Sequence, residues 1–436
     1  MTAVVGILNT SAAVIAADSA VTITGPFNQK IYNNANKIFQ LSKYNPIGVA
    51  IYGTGSLMST PWEVVVKMYR NQLNNKSFGT VSDYQADFIN YLKSKNYFST
   101  IVGITRSLNS SYYKIFNHFL SISIQITSNQ NADYANITDN ERATRILPNL
   151  KSILQENINT LKTSPNHLGG FDMWTDGEIR NIIDTIAPVE IAINNYSRLA
   201  DIVRGDVVTI QLFSEYIKSY LKSGDFRLSN SSGLVFIGFG EDEIYPHCTC
   251  SELAEVLDDK IRWKIASDIV INEDQSSAIQ AFAQGDDISN IIDGIHPTYA
   301  SQFYDQIGLL LSNYNKTLAN LVSSVDPGLA SQIISIDTQP LVQNLMQQMT
   351  AFQSHFSTNP TINAVRLFSK EDLAELAESL IYLTYLKKRM TFTDETVSKP
   401  VDVAIISKGD GFVWIKRKFY FEQDLNPHFL RNHYKE

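Results

Sequence analysis

Two cysteines in 436 residues, Cys248 and Cys250, leave no framework for disulfide stapling. Charge is also scarce: 18% of residues are Asp, Glu, Lys or Arg, with a formal net charge of −8. An acidic balance without a basic stripe excludes a general nucleic-acid-binding surface. The densest basic runs, Lys387-Lys388-Arg389 and Lys416-Arg417-Lys418, read as solvated ends of a helix and a strand. No stretch of about 18 apolar residues occurs, so no membrane-spanning helix and no membrane partner are expected. The apolar N-terminus has no Lys or Arg before Lys30 and so lacks the basic start of a secretory signal. The cytoplasm is therefore the expected compartment. Metal and cofactor signatures are missing too. The histidines show no H-E-x-x-H spacing, and His247-Cys248-Thr249-Cys250 has no second cluster to complete four ligands. Gly53-Thr54-Gly55-Ser56 lacks the Lys-Ser/Thr pair of a phosphate loop, and Gly238-Phe239-Gly240 lacks the third glycine of a dinucleotide fingerprint. Neither a cofactor nor a metal is expected.

The residues that are present describe an ordinary globular chain. Hydrophobic residues make up 44%, enough for a large core. At about 100–200 residues per domain, two or three domains or one with large insertions would fit. The most informative stretch is the first, MTAVVGILNTSAAVIAAD. Two apolar runs, Ala3 to Leu8 and Ala12 to Ala17, flank the polar turn Asn9-Thr10-Ser11, which predicts a hairpin of buried strands. Removal of Met1 would leave Thr2 with a free amine beside its own hydroxyl. An α-amino group titrates at about 7.7–8.0, so one residue could supply both nucleophile and proton acceptor. Asp18 closes the second apolar strand with an acid.

Further strands are expected over Lys37–Leu41 and Gly48–Tyr52, with Gly25-Pro26-Phe27-Asn28 as a loop. Ser59 and Pro61 would open a helix, Ser59 as cap and Pro61 in the first turn. A second helix should span Val81 to Lys95. Residues 100–228 read as helical, for example Arg142–Leu161, Asp176–Ile186 and Val207–Lys222, with a break at Gly169-Gly170-Phe171. Strands resume at Leu234–Gly240, Ile244–Cys250, Lys260–Ile265 and Ile269–Asn272. The acid run Glu241-Asp242-Glu243 reads as a solvated turn. Helices are expected from Ser277 to about Thr350, split at Pro327, with Leu341–Met349 suited to packed helices. Ser369-Lys370-Glu371-Asp372 is a capping box for a helix to about Met390. The strands Pro400–Ile406 and Phe412–Arg417 then flank a Lys408-Gly409-Asp410-Gly411 turn.

Thr2, the strand end Val14-Ile15-Ala16-Ala17-Asp18-Ser19, the Asn36-Lys37-Ile38-Phe39 segment and the Ala50-Ile51-Tyr52-Gly53-Thr54-Gly55 turn occur in an order that resembles proteasome β-subunits and proteasome-like bacterial peptidases. These are N-terminal-nucleophile (Ntn) hydrolases. Gly238-Phe239-Gly240-Glu241-Asp242 and the closing helix and hairpin are similar as well. The resemblance covers about 1–95, 231–295 and 366–420. It implies an α+β fold, the four-layer αββα sandwich, decorated by two helical insertions. The expected division is 1–99, 229–296 and 366–436 for the core, with 100–228 and 297–365 inserted.

It also implies roles. Thr2 would attack a carbonyl, Lys37 would lower the pKa of the nucleophile, Asp18 would pair with Lys37, and the Gly53 N–H would donate to the oxyanion. Asp394 falls where the family places a supporting Asp. The accompanying serine falls near Val397, where there is none, with Ser398 or Thr396 as substitutes only for a turn of different length. A second serine, expected near Gln284-Gly285-Asp286, is also missing. The activity implied is a threonine-type hydrolase cutting a peptide or other amide bond through an acyl-enzyme, activated by loss of Met1 with no longer propeptide. Assembly as a homo-oligomer and an unfoldase partner are within the family's range. The alternatives are a catalytically inactive subunit of the same fold that binds partners, an Ntn amidase for a small molecule, and, for Asp18 and Lys37, a purely structural ion pair.

Overall fold

The structure, a computed structural model, describes residues 3–24, 29–32, 34–58, 60–95, 100–163, 174–257, 260–283, 285–391, 397, 399–419, 421–422 and 424–428. In chain order the elements are β1 (Val4–Asn9), β2 (Ala13–Ala17), β3 (Val21–Thr24), β4 (Gln29–Tyr32), β5 (Ile38–Gln40), β6 (Ile47–Gly53), β7 (Ser56–Leu57), β8 (Thr60–Pro61), α1 (Trp62–Leu73) and α2 (Val81–Lys93). There follow α3 (Ile101–Gln130), α4 (Asp139–Thr163), α5 (Asp176–Asn181), α6 (Val189–Asn195), α7 (Ser197–Val203) and α8 (Val207–Lys222). Next come β9 (Ser232–Gly238), β10 (His247–Leu257), β11 (Lys260–Val270) and β12 (Ser277–Ala283). The chain continues through α9 (Gly285–Asp293), α10 (Pro297–Val322), α11 (Pro327–Ile334), α12 (Gln339–Gln353), α13 (Asn359–Val365), α14 (Lys370–Met390), β13 (Asp402–Ser407) and β14 (Gly411–Lys416). The mixture of helices and antiparallel sheets is that of an α+β chain.

Two compact units divide the chain. The first comprises Met1–Ile38, Ile244–Pro246 and Val270–Glu436. Its five-stranded sheet runs β12-β1-β2-β13-β14, antiparallel throughout. The expected hairpin forms, with Val4 opposite Ala17 and Ile7 opposite Val14. Every residue of β1 and β2 is buried, as runs without polar alternation require. Asn9 shapes the turn: its Oδ1 accepts from the Ser11 amide at 2.9 Å and the Ser11 hydroxyl at 2.7 Å. Its amide group donates to the carbonyls of Val365 and Phe368, tying the turn to the start of α14. That helix opens on the expected capping box, the Ser369 hydroxyl accepting from Asp372 N while the Asp372 carboxylate accepts from Ser369 N. Val5, Ile7, Val14, Ala16, Val403 and Ile405 pack against Leu373, Leu380 and Ile381 of α14 and Ile288 of α9.

The second unit comprises Phe39–Glu243 and His247–Ile269. Its sheet runs β11-β10-β9-β6-β5. Helices α1 and α2 cover it, with Trp62, Tyr69, Tyr84 and Phe88 against Val49, Ile51, Leu234 and Phe236. A capping box at Thr80 and Asp83 starts α2. Helices α3 to α8 share a separate core built on Tyr112, Phe116, Phe119, Leu150, Leu154, Phe213 and Ile217, and Ala254 of β10 joins it. Behind Ala254 lies a buried ion pair: Arg262 meets Glu255 at 3.0 Å and donates to the carbonyls of Tyr220, Ser223 and Asp225.

Several expectations are corrected. Ser277–Ala283 is the edge strand β12, not a helix, because its small side chains pair in register with β1, Ile279 opposite Ile7. Lys260–Ile265 and Ile269–Asn272 are not two strands: β11 is continuous over Lys260–Val270. The strand expected from Ile244 begins at His247. Pro61 is the N-cap of α1 rather than part of its first turn. Leu341–Met349 is helical without being packed: Leu341 is 61% exposed, and Val342 is its one buried residue. A short hairpin, β3 and β4, flanks the expected loop. Gly25–Asn28, Ser59 and Gly169–Phe171 lie outside the described residues.

Candidate active site

The first unit brings Asp18 and Lys37 together. Asp18 follows β2 directly, and Lys37 stands just before β5. Lys37 Nζ lies 2.7 Å from Asp18 Oδ1, with the two side chains 6% and 0% exposed. The same carboxylate accepts from Ala3 N at 2.8 Å and from Ala20 N at 2.8 Å. The Asp18 amide returns a bond to the Ala3 carbonyl at 3.2 Å. Asp18 thus clamps the start of β1 from both sides of one residue.

Burial pushes the Lys37 ammonium below the usual lysine range, since desolvation penalises its charge; Asp18 pulls the other way. A second pair contributes to the same field. Lys418 pairs with Asp402 through its side chain, and its amide donates to Asp402 at 2.9 Å. Lys418 disfavours the charge on Lys37 and Asp402 favours it. Ser19 joins this neighbourhood, donating to the Pro400 carbonyl at 2.5 Å and accepting from Ala35 N at 3.1 Å. The sequence did not single out Ser19, Asp402 or Lys418, and their positions one residue after Asp18 and at the two ends of the closing hairpin were the available signal.

The other expected site residues are distributed differently. Gly53 ends β6 in the second unit. Its φ is +78°, and a Cβ there would lie 2.5 Å from the Ser231 carbonyl oxygen, so only glycine fits. Thr2 and Asp394 lie outside the described residues, as do Gln284, Thr396 and Ser398. Val397 is fully buried among the apolar residues of the first unit. Gly285 and Asp286 begin α9 rather than a serine-bearing turn.

His247 and the neighbouring acids form a cluster of their own in the second unit. The ring lies between Glu243, 2.6 Å from Nδ1, and Asp268, 2.8 Å from Nε2. Glu243 also accepts from Gly240 N and Val81 N, and Glu241 accepts from the Ser77 hydroxyl. Glu241 and Asp242 are exposed, as expected of a solvated turn, whereas Glu243 is half-buried and bonded. Burial disfavours the charged ring, but bonds and charges from both carboxylates outweigh it and raise the His247 pKa above its usual value. Cys248 and Cys250 are buried thiols on β10, and burial pushes both pKa values up, that of Cys250 to about 12. Unreactive thiols of this kind suit packing rather than nucleophilic chemistry. Among the described residues, no group of three or more His, Cys, Asp or Glu side chains could hold a metal, and no helix is long and apolar enough to cross a membrane.

Comparison of the chain with protein-family models and with curated proteins returns no match.

Proposed function

We propose that the chain is a threonine-type N-terminal-nucleophile hydrolase that cuts a peptide or other amide bond through an acyl-enzyme. One observation carries this reading: a single buried carboxylate, Asp18, holds both the Lys37 ammonium and the peptide N–H of Ala3, the residue that follows Thr2. A cation used for charge alone is seldom buried at this cost. Tied to the strand start, it becomes a tool for whatever group precedes Ala3.

After loss of Met1, the Thr2 hydroxyl attacks the amide carbonyl and its own amine accepts the proton. The amine returns that proton to the departing nitrogen as the C–N bond breaks, leaving an ester on Thr2. Water then attacks the ester and restores the hydroxyl. Lys37 lowers the pKa of the attacking group by its charge, and Asp18 keeps it oriented. The reading carries with it a four-layer αββα sandwich. Its support is that each unit, taken by itself, has one five-stranded sheet with helices against it. Peptide or amide substrates, homo-oligomeric assembly and a cytoplasmic location belong to the same proposal.

The test is intact mass and N-terminal sequencing of protein from its native host, with and without an epoxyketone or β-lactone. The expected result is a chain starting at Thr2 that gains the warhead mass there. Lys37→Ala should slow labelling by about 10²-fold or more, the scale of losing one positioned group. A mature chain that keeps Met1, or starts at Thr2 and never labels, overturns the hydrolase reading. The second reading, a non-catalytic subunit that binds partners, would then stand. Its specific support is Val397, an apolar residue buried in the core where the family resemblance calls for a serine.

A further inference from the structure

In the first unit, a groove of about 660 Å³ opens between α14 and the end of β14. Four cations line it: Lys399, Lys416, Arg417 and Lys418. Two of them are neutralised, Lys416 by Glu378 at 2.6 Å and Lys418 by Asp402. The other two are held by aromatic rings instead. The Lys399 ammonium sits 4.1 Å above the Tyr382 ring. The Arg417 guanidinium sits 4.9 Å from the Trp414 ring and 5.3 Å from that of Phe419. A ring face steadies a cation without cancelling its charge, and it leaves the N–H groups at the cation's edge free to donate. Among the described residues neither Lys399 nor Arg417 has a carboxylate partner. In a chain of net charge −8, this groove therefore holds two prepared positive charges with no counter-charge.

The groove shares its wall with the candidate active site. Pro400 lines it and accepts the Ser19 hydroxyl at 2.5 Å, one residue beyond Asp18. Lys418 lines it as well and acts on the charge of Lys37. We propose that the groove binds an anionic group, a carboxylate or phosphate, carried by the substrate beside the amide that is cut. Arg417 supplies the forked donor pair that matches either group, and Lys399 adds a second point charge. The inference rests on the hydrolase reading for the word substrate, whereas the binding itself does not need turnover.

The experiment uses that independence. Three dye-labelled decapeptides, alike except for a central triple glutamate, a phosphoserine or a triple glutamine, are titrated by fluorescence anisotropy into the full chain carrying Thr2→Ala. At low salt the two anionic peptides should bind at least tenfold more tightly than the glutamine peptide. Arg417→Gln with Lys399→Gln should erase that preference. Lys162→Gln with Glu215→Gln, which removes an exposed ion pair outside the groove, should leave it within about twofold, a change of about 0.4 kcal/mol. Tighter binding of the phosphoserine peptide assigns the site to phosphate, and tighter binding of the glutamate peptide assigns it to carboxylate. Equal binding of all three peptides, or a preference that survives the Arg417/Lys399 double change, overturns the proposal. Warhead labelling of Thr2 is scored separately on the unaltered chain, so failure of the hydrolase reading and failure of the groove give different results.

Discussion

The two long helical regions, α3–α8 and α10–α13, follow the same helical periodicity and arrive at opposite kinds of packing. In α3–α8 the apolar stripes converge: Phe116, Phe119, Leu150, Leu154 and Phe213 are fully buried, with aromatic rings meeting edge to face. The polar faces carry ion pairs such as Arg145–Asp133, Lys151–Asp206 and Lys162–Glu215. In α10–α13 the buried residues are Ala319, Ala330, Val342 and Val365, while Phe303, Leu310, Tyr314 and Phe352 are each more than half exposed. Asp305, Lys316, Asp326 and Asp337 are the only charged residues between 297 and 365. Local signals hold these helices in register: the Asp326 carboxylate caps α11, and Pro327 stands at its first position. The difference teaches that periodicity specifies a helix, whereas burial needs a second surface. Segments with caps but few charges form helices without committing their apolar faces to one another.

The sharpest way to break this comparison is to truncate matching side chains. Phe119→Ala in α3 should cost about 3–5 kcal/mol, read as a shift in urea midpoint, because a fully buried ring leaves a cavity. Leu310→Ala in α10 should change stability by no more than about 0.5 kcal/mol, as exposed positions do. Equal losses would mean that α10 hides a packing partner. The ion pair behind the first region gives an effect of similar size: Arg262→Met strands the buried Glu255 and three carbonyls, for about 3–5 kcal/mol.

A smaller effect tests the local signals of the second region. Asp326→Ala should cost about 1 kcal/mol of helix stability, visible as faster hydrogen exchange confined to α11. The smallest effect concerns pH. The raised His247 pKa means that its charged form stabilises the folded second unit below the unfolded value of about 6.5, and that this contribution disappears as pH rises through the folded value. The unfolding midpoint of the unit carrying α3–α8 should therefore fall as the pH rises above about 6.5. His247→Gln should flatten that slope. A slope that survives the substitution would assign the titration elsewhere.

How much of this was legible in the sequence follows from range. The β1–β2 hairpin was readable because both strands and the Asn9 turn lie within eighteen residues. So were α8 and α14, whose caps and stripes are local. Ser277–Ala283 was misread because its serine and alanines suit a helix equally well, and only pairing with β1 makes it a strand. Asp18 and Lys37 could be joined only through the resemblance, since nothing in either segment announces the other. The groove was invisible for the same reason. Lys416-Arg417-Lys418 looked like a solvated strand end until Lys399 and Tyr382 were brought beside it.

The bond from Ser19 to Pro400 has a further meaning in time. It joins residues separated by 381 positions, and β13, which pairs with β2, comes from the same late stretch. At about 5–20 residues per second, a ribosome needs roughly 20–80 seconds between making one partner and making the other. During that interval the β1–β2 hairpin exists without β13, which pairs with β2, and without the Asp402–Lys418 pair that shapes the field at Lys37. The surroundings of Lys37 are thus completed by a segment made long after Lys37 itself. The Asp18–Lys37 pair therefore meets its full electrostatic surroundings only after that later segment has been made.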